Sequence, residues 1–242
     1  MSQPSAVQME APAPPAESRF NKELIPKLMV VAWWIGSLFL AAGRLDWVRG
    51  WVSVALFVIG ITVVKRIVQH YNPAVLKERA NWRRKDTKGF DKIFLAIYLP
   101  LYLIQPAIGG FDAVRYHWSS MPFGFVYVGS ILFVLALAMI TWVMIVNPFA
   151  ESSVRIQTDR GHTVITSGPY RFVRHPMYVG IILLYSSTAL IWGSVWTLGL
   201  GALLMVLMIW RTAREDRTLR QELAGYEQYA AITRYRLLPG VW

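Results

Sequence analysis

The residues best suited to chemistry lie between Gly168 and Gly180, in the run Gly-Pro-Tyr-Arg-Phe-Val-Arg-His-Pro-Met-Tyr-Val-Gly. This run stands where a polar stretch gives way to an apolar one. Pro176 has no backbone N–H and a φ fixed near the helical value, so a helix is predicted to begin there, with His175 at or near its cap. The free amides of a first helical turn lie at the positive end of the helix dipole and bind anions. We therefore expect a carboxylate or phosphate of a cofactor to bind at this helix start.

A second polar group follows in the segment Arg-Thr-Ala-Arg-Glu-Asp, where an apolar run turns polar. Arg211 and Glu215 are four residues apart, so they share one face of a predicted helix. Ordinary pairing of arginines with carboxylates on a surface helix would explain this pattern, at a few tenths of a kcal/mol for each pair. The position of Arg211 and Glu215 relative to the His175 run therefore decides whether they belong to a site.

The elements that must position these residues are apolar. The chain has 242 residues, of which 55% are hydrophobic and 11 are Trp, and its mean hydropathy is +0.39. This composition indicates a membrane protein. Apolar segments that approach the roughly 20 residues of a spanning helix cover about residues 25–43, 47–64, 90–108, 123–146, 176–192 and 195–210. The sequence thus predicts an all-α integral membrane protein with about six membrane helices, the third of them kinked by Pro100 and Pro106.

Basic residues predict how these helices are oriented. Of the 25 Lys and Arg residues, 22 lie in residues 1–27, 65–92, 147–175 and 211–242, and the opposite side receives only Arg44, Arg49 and Arg115. The positive-inside rule then places both termini in the cytoplasm of a multi-pass membrane protein. Attraction to anionic lipid explains the net charge of +11 better than nucleic acid does. Lys77 to Lys92 is interpreted mainly as a solvated basic loop.

Only Gly193 and Ser194 separate the last two apolar segments, which predicts a short helical hairpin whose arms are shorter than a full span. Since the hairpin ends on the side where it began, it brings Arg211 and Glu215 back beside the His175 run. These residues are expected to form a cytoplasmic helical cofactor site.

Three regions are predicted along the chain. Residues 1–24 are rich in Pro, Ala, Ser and Gln and are expected to be a disordered tail. Residues 25–146 hold four membrane helices with the basic loop 65–92, and residues 147–242 form the catalytic region. The chain has no Cys and no His, Asp and Glu cluster at metal-ligand spacing, so neither a disulfide nor a metal site is expected.

A family resemblance joins these motifs. Gly168-Pro169-Tyr170, Arg174-His175-Pro176-Met177-Tyr178-Val179-Gly180, Glu215-Asp216, Tyr226, Tyr229 and Leu238-Pro239-Gly240 resemble the isoprenylcysteine carboxyl methyltransferase family and the related phospholipid methyltransferases. The similarity covers about residues 147–242. One departure is that the usual Glu-Glu pair of the family reads Glu-Asp in this chain.

The resemblance implies an integral membrane enzyme that uses S-adenosylmethionine. His175, Tyr178 and the amides near Pro176 and Gly180 would bind this cofactor, with Glu215 on its polar groups. Physical chemistry agrees in part, because the cofactor carboxylate suits the helix start and an aromatic face such as that of Tyr178 or Tyr170 attracts a sulfonium. Small residues such as Gly180 also serve helix contacts in membranes without any ligand.

The acceptor is expected to be lipophilic or lipidated and to reach the site from the bilayer. A carboxylate acceptor needs no general base but does need a cation, for which Arg211 and Arg174 are the candidates. A phospholipid amine would instead need a base such as Glu215. Two rivals are an NADPH-dependent sterol-type reductase, disfavoured by Met177 where such reductases tend to carry Asn, and a non-catalytic membrane protein.

Overall fold

The computed structural model describes residues 16–80 and 84–242, and for residues 16–28 it describes the backbone alone. These ranges contain eight α-helices and no strand, which confirms the predicted all-α class. The helices are α1 (Ala16–Ala42), α2 (Val48–Tyr71), α3 (Pro73–Ala80), α4 (Gly89–Gly110), α5 (Phe125–Val146), α6 (Pro176–Trp192), α7 (Val195–Glu222) and α8 (Tyr226–Ile232).

Four of the described helices are long and apolar enough to cross a membrane: α2, α4 with the π-helical turn that follows it, α5 and α7. The segments Met29–Ala42 in α1 and Pro176–Trp192 are apolar but shorter. The six predicted segments therefore correspond to four helices of full spanning length and two shorter apolar segments, one of them part of α1. This arrangement is that of a multi-pass membrane protein.

Several boundaries differ from those expected. α1 begins at Ala16, inside the segment predicted as a tail, and residues 1–15 of that tail lie outside the described residues. The basic loop 65–92 is largely helical, because it holds the end of α2, all of α3 and the start of α4. α4 continues through Pro100 and Pro106 into the π-helical turn Phe111–Arg115.

The predicted hairpin is present, but its arms are unequal. α6 has 17 residues, whereas α7 has 28 and continues through the polar segment to Glu222, well past the expected end near residue 210. The segment from Arg211 to Glu222 contains four Arg and two Glu, which favour a helix whether it lies in lipid or in water. Gly193 closes α6 with a φ of 76°, and the Ser194 hydroxyl accepts the Thr197 amide at 2.9 Å to cap α7.

α6 packs most extensively against α5. A Cβ on Gly180 would lie 2.7 Å from Cγ1 of Ile140 and 3.1 Å from the Ala136 carbonyl oxygen, and one on Gly129 would lie 2.8 Å from the Ser187 carbonyl oxygen. Glycine at these positions lets the two backbones approach closely, which is how helices associate in membranes. The close packing fixes the start of α6 against the end of α5.

The turn of the hairpin is fixed at the opposite end of the molecule from the start of α6. The buried carboxylate of Asp112, in the π-helical turn, accepts Ser194 Oγ at 2.5 Å, Ser119 Oγ at 2.7 Å and the Trp196 amide at 3.2 Å. This network ties α7 to the end of α4. The two helices are therefore held together at one end, while their other ends form part of the site.

Candidate functional site

A cavity of about 310 Å³ lies where α6 begins and the polar half of α7 continues. Its polar side is formed by the segment that joins α5 to α6 and by residues of α3, α7 and α8. The apolar side comes mainly from α4, α6 and α7, through Phe94, Leu95, Tyr98, Leu99, Ile181 and Met208. A molecule in this cavity would meet charged groups at one side and hydrocarbon at the other.

Asp216 joins the segments that form the polar side. Its fully buried carboxylate accepts Arg174 Nε at 2.7 Å and Arg174 Nη2 at 3.1 Å, Arg236 Nε at 2.9 Å and the Tyr226 hydroxyl at 3.0 Å. His175 Nε2 lies 3.4 Å from the same carboxylate. One acidic side chain of α7 thus holds the start of α6, the start of α8 and the C-terminal segment together.

The C-terminal segment also pairs with the start of α6 through its backbone. The amides of Arg174 and His175 donate to the carbonyls of Tyr235 and Arg236, both at 2.9 Å. Arg174 Nη1 donates to the carbonyls of Thr233 and Arg234, both at 2.7 Å. Burial lowers the pKa of Arg174, but its hydrogen bonds with Asp216 outweigh that effect and the net pKa is raised. Arg174 is therefore charged and fully engaged in holding this segment.

His175, Tyr178 and Glu215 form the part of the site nearest the helix start. The rings of His175 and Tyr178 are stacked, with centroids 5.8 Å apart and planes within 2° of parallel. The Tyr178 hydroxyl donates to the Glu215 carboxylate. Glu215 forms no ion pair with any described Lys or Arg, so its charge is left for a cationic group in the cavity. The Tyr178 amide donates to the His175 carbonyl at 3.1 Å, so this amide is already used within the protein.

Arg211 forms a buried ion pair with a residue that the sequence did not suggest. Its Nε and Nη2 lie 2.7 and 3.2 Å from the two carboxylate oxygens of Asp91, and Nη2 also donates to the Ser152 carbonyl at 2.9 Å. The guanidinium lies over the rings of Phe94 and Tyr178, at 4.8 and 5.2 Å from their centroids. The expected surface pairing of Arg211 with Glu215 is not formed, because each side chain has another partner.

The segment between α5 and α6 covers the polar side of the cavity and has its own ionic network. Arg155 donates to Glu151 at 2.9 and 3.0 Å, to Asp159 at 2.7 Å and to Asp86 at 3.0 Å. The Glu151 hydrogen bonds raise the pKa of Arg155 more than burial lowers it. The network connects this segment to the residues just before α4.

His162 and Tyr170 complete the cover over the cavity. The His162 ring lies 4.5 Å from that of Phe149, and its Nδ1 accepts the Gln157 amide at 3.3 Å. Tyr170 is held by Asn147, whose side-chain amide donates to its hydroxyl at 2.6 Å, and by the Tyr229 hydroxyl, which donates to its carbonyl at 2.7 Å. Burial raises the pKa of Tyr229 to about 12, so it is a neutral donor.

The structure brings most of the predicted site residues to one cavity. Those that line it are Tyr170, Arg174, His175, Tyr178, Arg211 and Glu215. Pro176 and Gly180 do not line it: Pro176 begins α6, and Gly180 faces α5 as described above. Both residues help to set the position of α6, and the cofactor-binding role expected of them stays a prediction.

Sequence reasoning missed two residues of the site, Asp91 and Arg79. Both lie in the segment interpreted as a solvated basic loop, yet Asp91 is fully buried and Arg79 lines the cavity. Asp91 is the only acidic residue from residue 87 to residue 111 of the sequence. An isolated acidic residue at the start of an apolar segment could have predicted that this carboxylate is buried and paired with a basic residue. Among the described residues, no group of His, Asp and Glu is arranged to hold a metal ion.

The fold and the cavity define a class: a helical, multi-pass membrane protein with a mixed polar and apolar small-molecule site at the ends of its helices. Residues 125–224 match the model of the phospholipid methyltransferase family. The match spans α5, α6 and α7 and confirms the resemblance noted from the sequence. This segment is therefore similar to the phospholipid methyltransferases. No curated protein matches the chain.

Proposed function

We propose that the protein is an S-adenosylmethionine-dependent methyltransferase that acts on a lipophilic acceptor, with a carboxylate of the isoprenylcysteine type as the methylated group. The observation that supports this most is the cavity itself. It places His175, Tyr178 and Glu215 of the methyltransferase-like segment opposite an apolar side built largely by α4. A polar cofactor and a hydrocarbon-bearing acceptor can meet only in a site of this mixed kind.

The charges in the cavity fit such a cofactor. Glu215 offers a carboxylate with no cationic partner among residues 29–80 and 84–242, and the cofactor carries an ammonium and a sulfonium. The faces of Tyr178 and Tyr170 would attract the sulfonium, and the stacked His175 ring would fix the Tyr178 ring in place. When bound, S-adenosylmethionine supplies an electrophilic methyl group that passes to the acceptor oxygen as S-adenosylhomocysteine leaves.

The protein then has to align the acceptor and exclude water. Arg211 is suited to hold a carboxylate acceptor, because its Nη1 has no protein partner among the described residues. Asp91 already compensates most of the charge of Arg211. Arg211 would therefore orient the acceptor carboxylate without stabilising it so strongly that the attack of its oxygen on the methyl group is slowed. Arg174 lines the same cavity, but its three donor nitrogens are engaged by Asp216, Thr233 and Arg234, so its contribution is to position His175.

A phospholipid amine is the second candidate acceptor, and the family match favours it. An amine must lose a proton during methylation. In the described part of the chain, Glu215 is the carboxylate of the cavity with no cationic partner, and its contact with the Tyr178 hydroxyl gives it a route to pass a proton on. The two acceptors differ in which residue is essential: Arg211 for the carboxylate and Glu215 for the amine.

Cofactor binding by the purified protein tests the proposal. We expect S-adenosylmethionine and S-adenosylhomocysteine to bind and NADPH not to bind, and we expect His175→Ala and Glu215→Ala to weaken binding of the first two. Glu222→Ala is a matched control, because Glu222 lies on the same helix, is paired with Lys88 at 2.7 Å and does not itself line the cavity. Binding of NADPH alone would instead identify the reductase. Transfer of a labelled methyl group into a lipid extract would then distinguish an ester product from a methylated amine.

A further inference from the structure

We propose that Arg79 binds the carboxylate of the cofactor, which makes α3 a part of the site although it lies outside the family match. The inference rests on the proposed function, since it assigns one end of the cofactor to one residue. Its basis is the geometry and charge balance of the cavity.

Arg79 is held in place by one nitrogen and leaves the others available. Nη1 donates to the carbonyls of Ala150 and Glu151, at 2.9 and 3.3 Å, and lies 3.5 Å from the sulfur of Met177. Nε and Nη2 have no protein acceptor among the described residues. The guanidinium is thus fixed at the cavity, with two adjacent N–H groups in the arrangement that binds a carboxylate through both oxygens.

The other arginines of the cavity are already neutralised. Arg155 pairs with Glu151 and Asp159, Arg174 with Asp216, and Arg211 with Asp91. Within the described part of the chain, Arg79 is the cavity-lining arginine that has no carboxylate partner. Burial lowers the pKa of its guanidinium, and the positive charge of Arg211 lowers it further, as expected for a cation that lacks a counter-ion. A bound anion would supply that counter-ion.

The position of Arg79 favours the cofactor over the acceptor as the source of this anion. Its contacts come from the polar segment at Ala150 and Glu151 and from the first turn of α6 at Met177. The apolar side, where a lipid chain would lie, is formed by other residues of α4, α6 and α7. Among the described residues, Arg79 and Glu215 are the two charged groups of the cavity that lack an oppositely charged partner. An amino acid, with one carboxylate and one ammonium, complements such a pair.

Two ligands that differ only in the carboxylate test the inference. We would measure the Kd of S-adenosylmethionine and of its decarboxylated form for the wild type, Arg79→Gln, Arg79→Lys and Lys77→Gln. Lys77→Gln removes the same charge from an exposed position of the same helix. We expect Arg79→Gln to weaken binding of S-adenosylmethionine about 10- to 100-fold, because a charge-assisted hydrogen bond to its carboxylate is lost. The Kd of the decarboxylated ligand should change by no more than about twofold. Arg79→Lys should keep part of the preference, and Lys77→Gln all of it.

The comparison of ligands within each variant separates carboxylate binding from a purely structural role. If Arg79 only holds the segment at Ala150, Arg79→Gln will weaken both ligands equally, and this result would overturn the inference. Unchanged affinity for S-adenosylmethionine in Arg79→Gln would overturn it as well, while the proposed function would stand. If the wild type binds neither ligand, the proposed function fails and the inference fails with it.

Discussion

The replacement Asp216→Asn is expected to destabilise the protein strongly through the loss of one buried charge. Asp216 is fully buried, and the side chain of its main partner, Arg174, is only 2% exposed. Breaking a buried pair costs about 3–5 kcal/mol, because it leaves an uncompensated charge out of water. Arg220 and Arg236, each about a third exposed, add little, since solvent screens them. We therefore expect a loss of about 3–5 kcal/mol that comes mainly from Arg174.

Two measurements would detect this loss. Unfolding of the detergent-solubilised protein gives the change in stability. Limited trypsin digestion at Arg234 and Arg236 reports release of the C-terminal segment, which Asp216 anchors through Arg174 and Arg236.

Glu227→Gln is the matched control for this experiment. It also changes a carboxylate to an amide, and it removes the Arg220–Glu227 ion pair of 2.6 Å. Since Glu227 is largely exposed, the expected cost is below about 1 kcal/mol. If Asp216→Asn were no more destabilising than Glu227→Gln, and the C-terminal segment were equally protected in both, Asp216 would not hold these segments together.

Two further predictions concern packing and pH. Gly180→Ala should cost about 1–3 kcal/mol of stability, because the new methyl group overlaps Ile140 on α5. The affinity of the folded fraction for S-adenosylmethionine should be unchanged. A loss of affinity without a loss of stability would show that Gly180 contacts the cofactor. Burial lowers the pKa of His162 below its ordinary value of 6.5, so the unfolded chain takes up a proton before the folded one does, and stability should fall as the pH drops below about 6.5. The unfolding temperature should fall less between about pH 7.5 and 5.5 for His162→Gln than for the wild type. An equal fall in both proteins would contradict this role of His162.

The elements that sequence reasoning predicted well are those fixed by local chemistry. Pro176 begins α6 because proline suits a first helical turn, and Gly193 with Ser194 turns the chain because they provide a left-handed conformation and a helix cap. The same hairpin brings Glu215 to His175 and Tyr178, as the topology predicted. These features depend on residues close together in the chain.

Features that depend on distant residues were not predictable in the same way. Arg211 pairs with Asp91, 120 residues away, and no periodicity of α7 indicates that partner. The second acidic residue of the Glu-Asp pair had no assigned role from the sequence, yet Asp216 joins the segments around the site. Gly180 illustrates the reverse case, since a residue inside the family motif serves helix packing. Motif membership alone does not separate a ligand contact from a packing contact.

The ion pair between Arg211 and Asp91 sets a lower limit on the length of the segment that can fold as one unit. Residues 125–224 contain Arg211, but Asp91 and Arg79 both precede them. A protein truncated to the family match would bury a guanidinium without its counter-ion and lose the apolar side that α4 provides. A chimera that joins this segment to the N-terminal helices of a related membrane protein would need a carboxylate at the position of Asp91. The boundary for transplanting or truncating this protein therefore falls before α3.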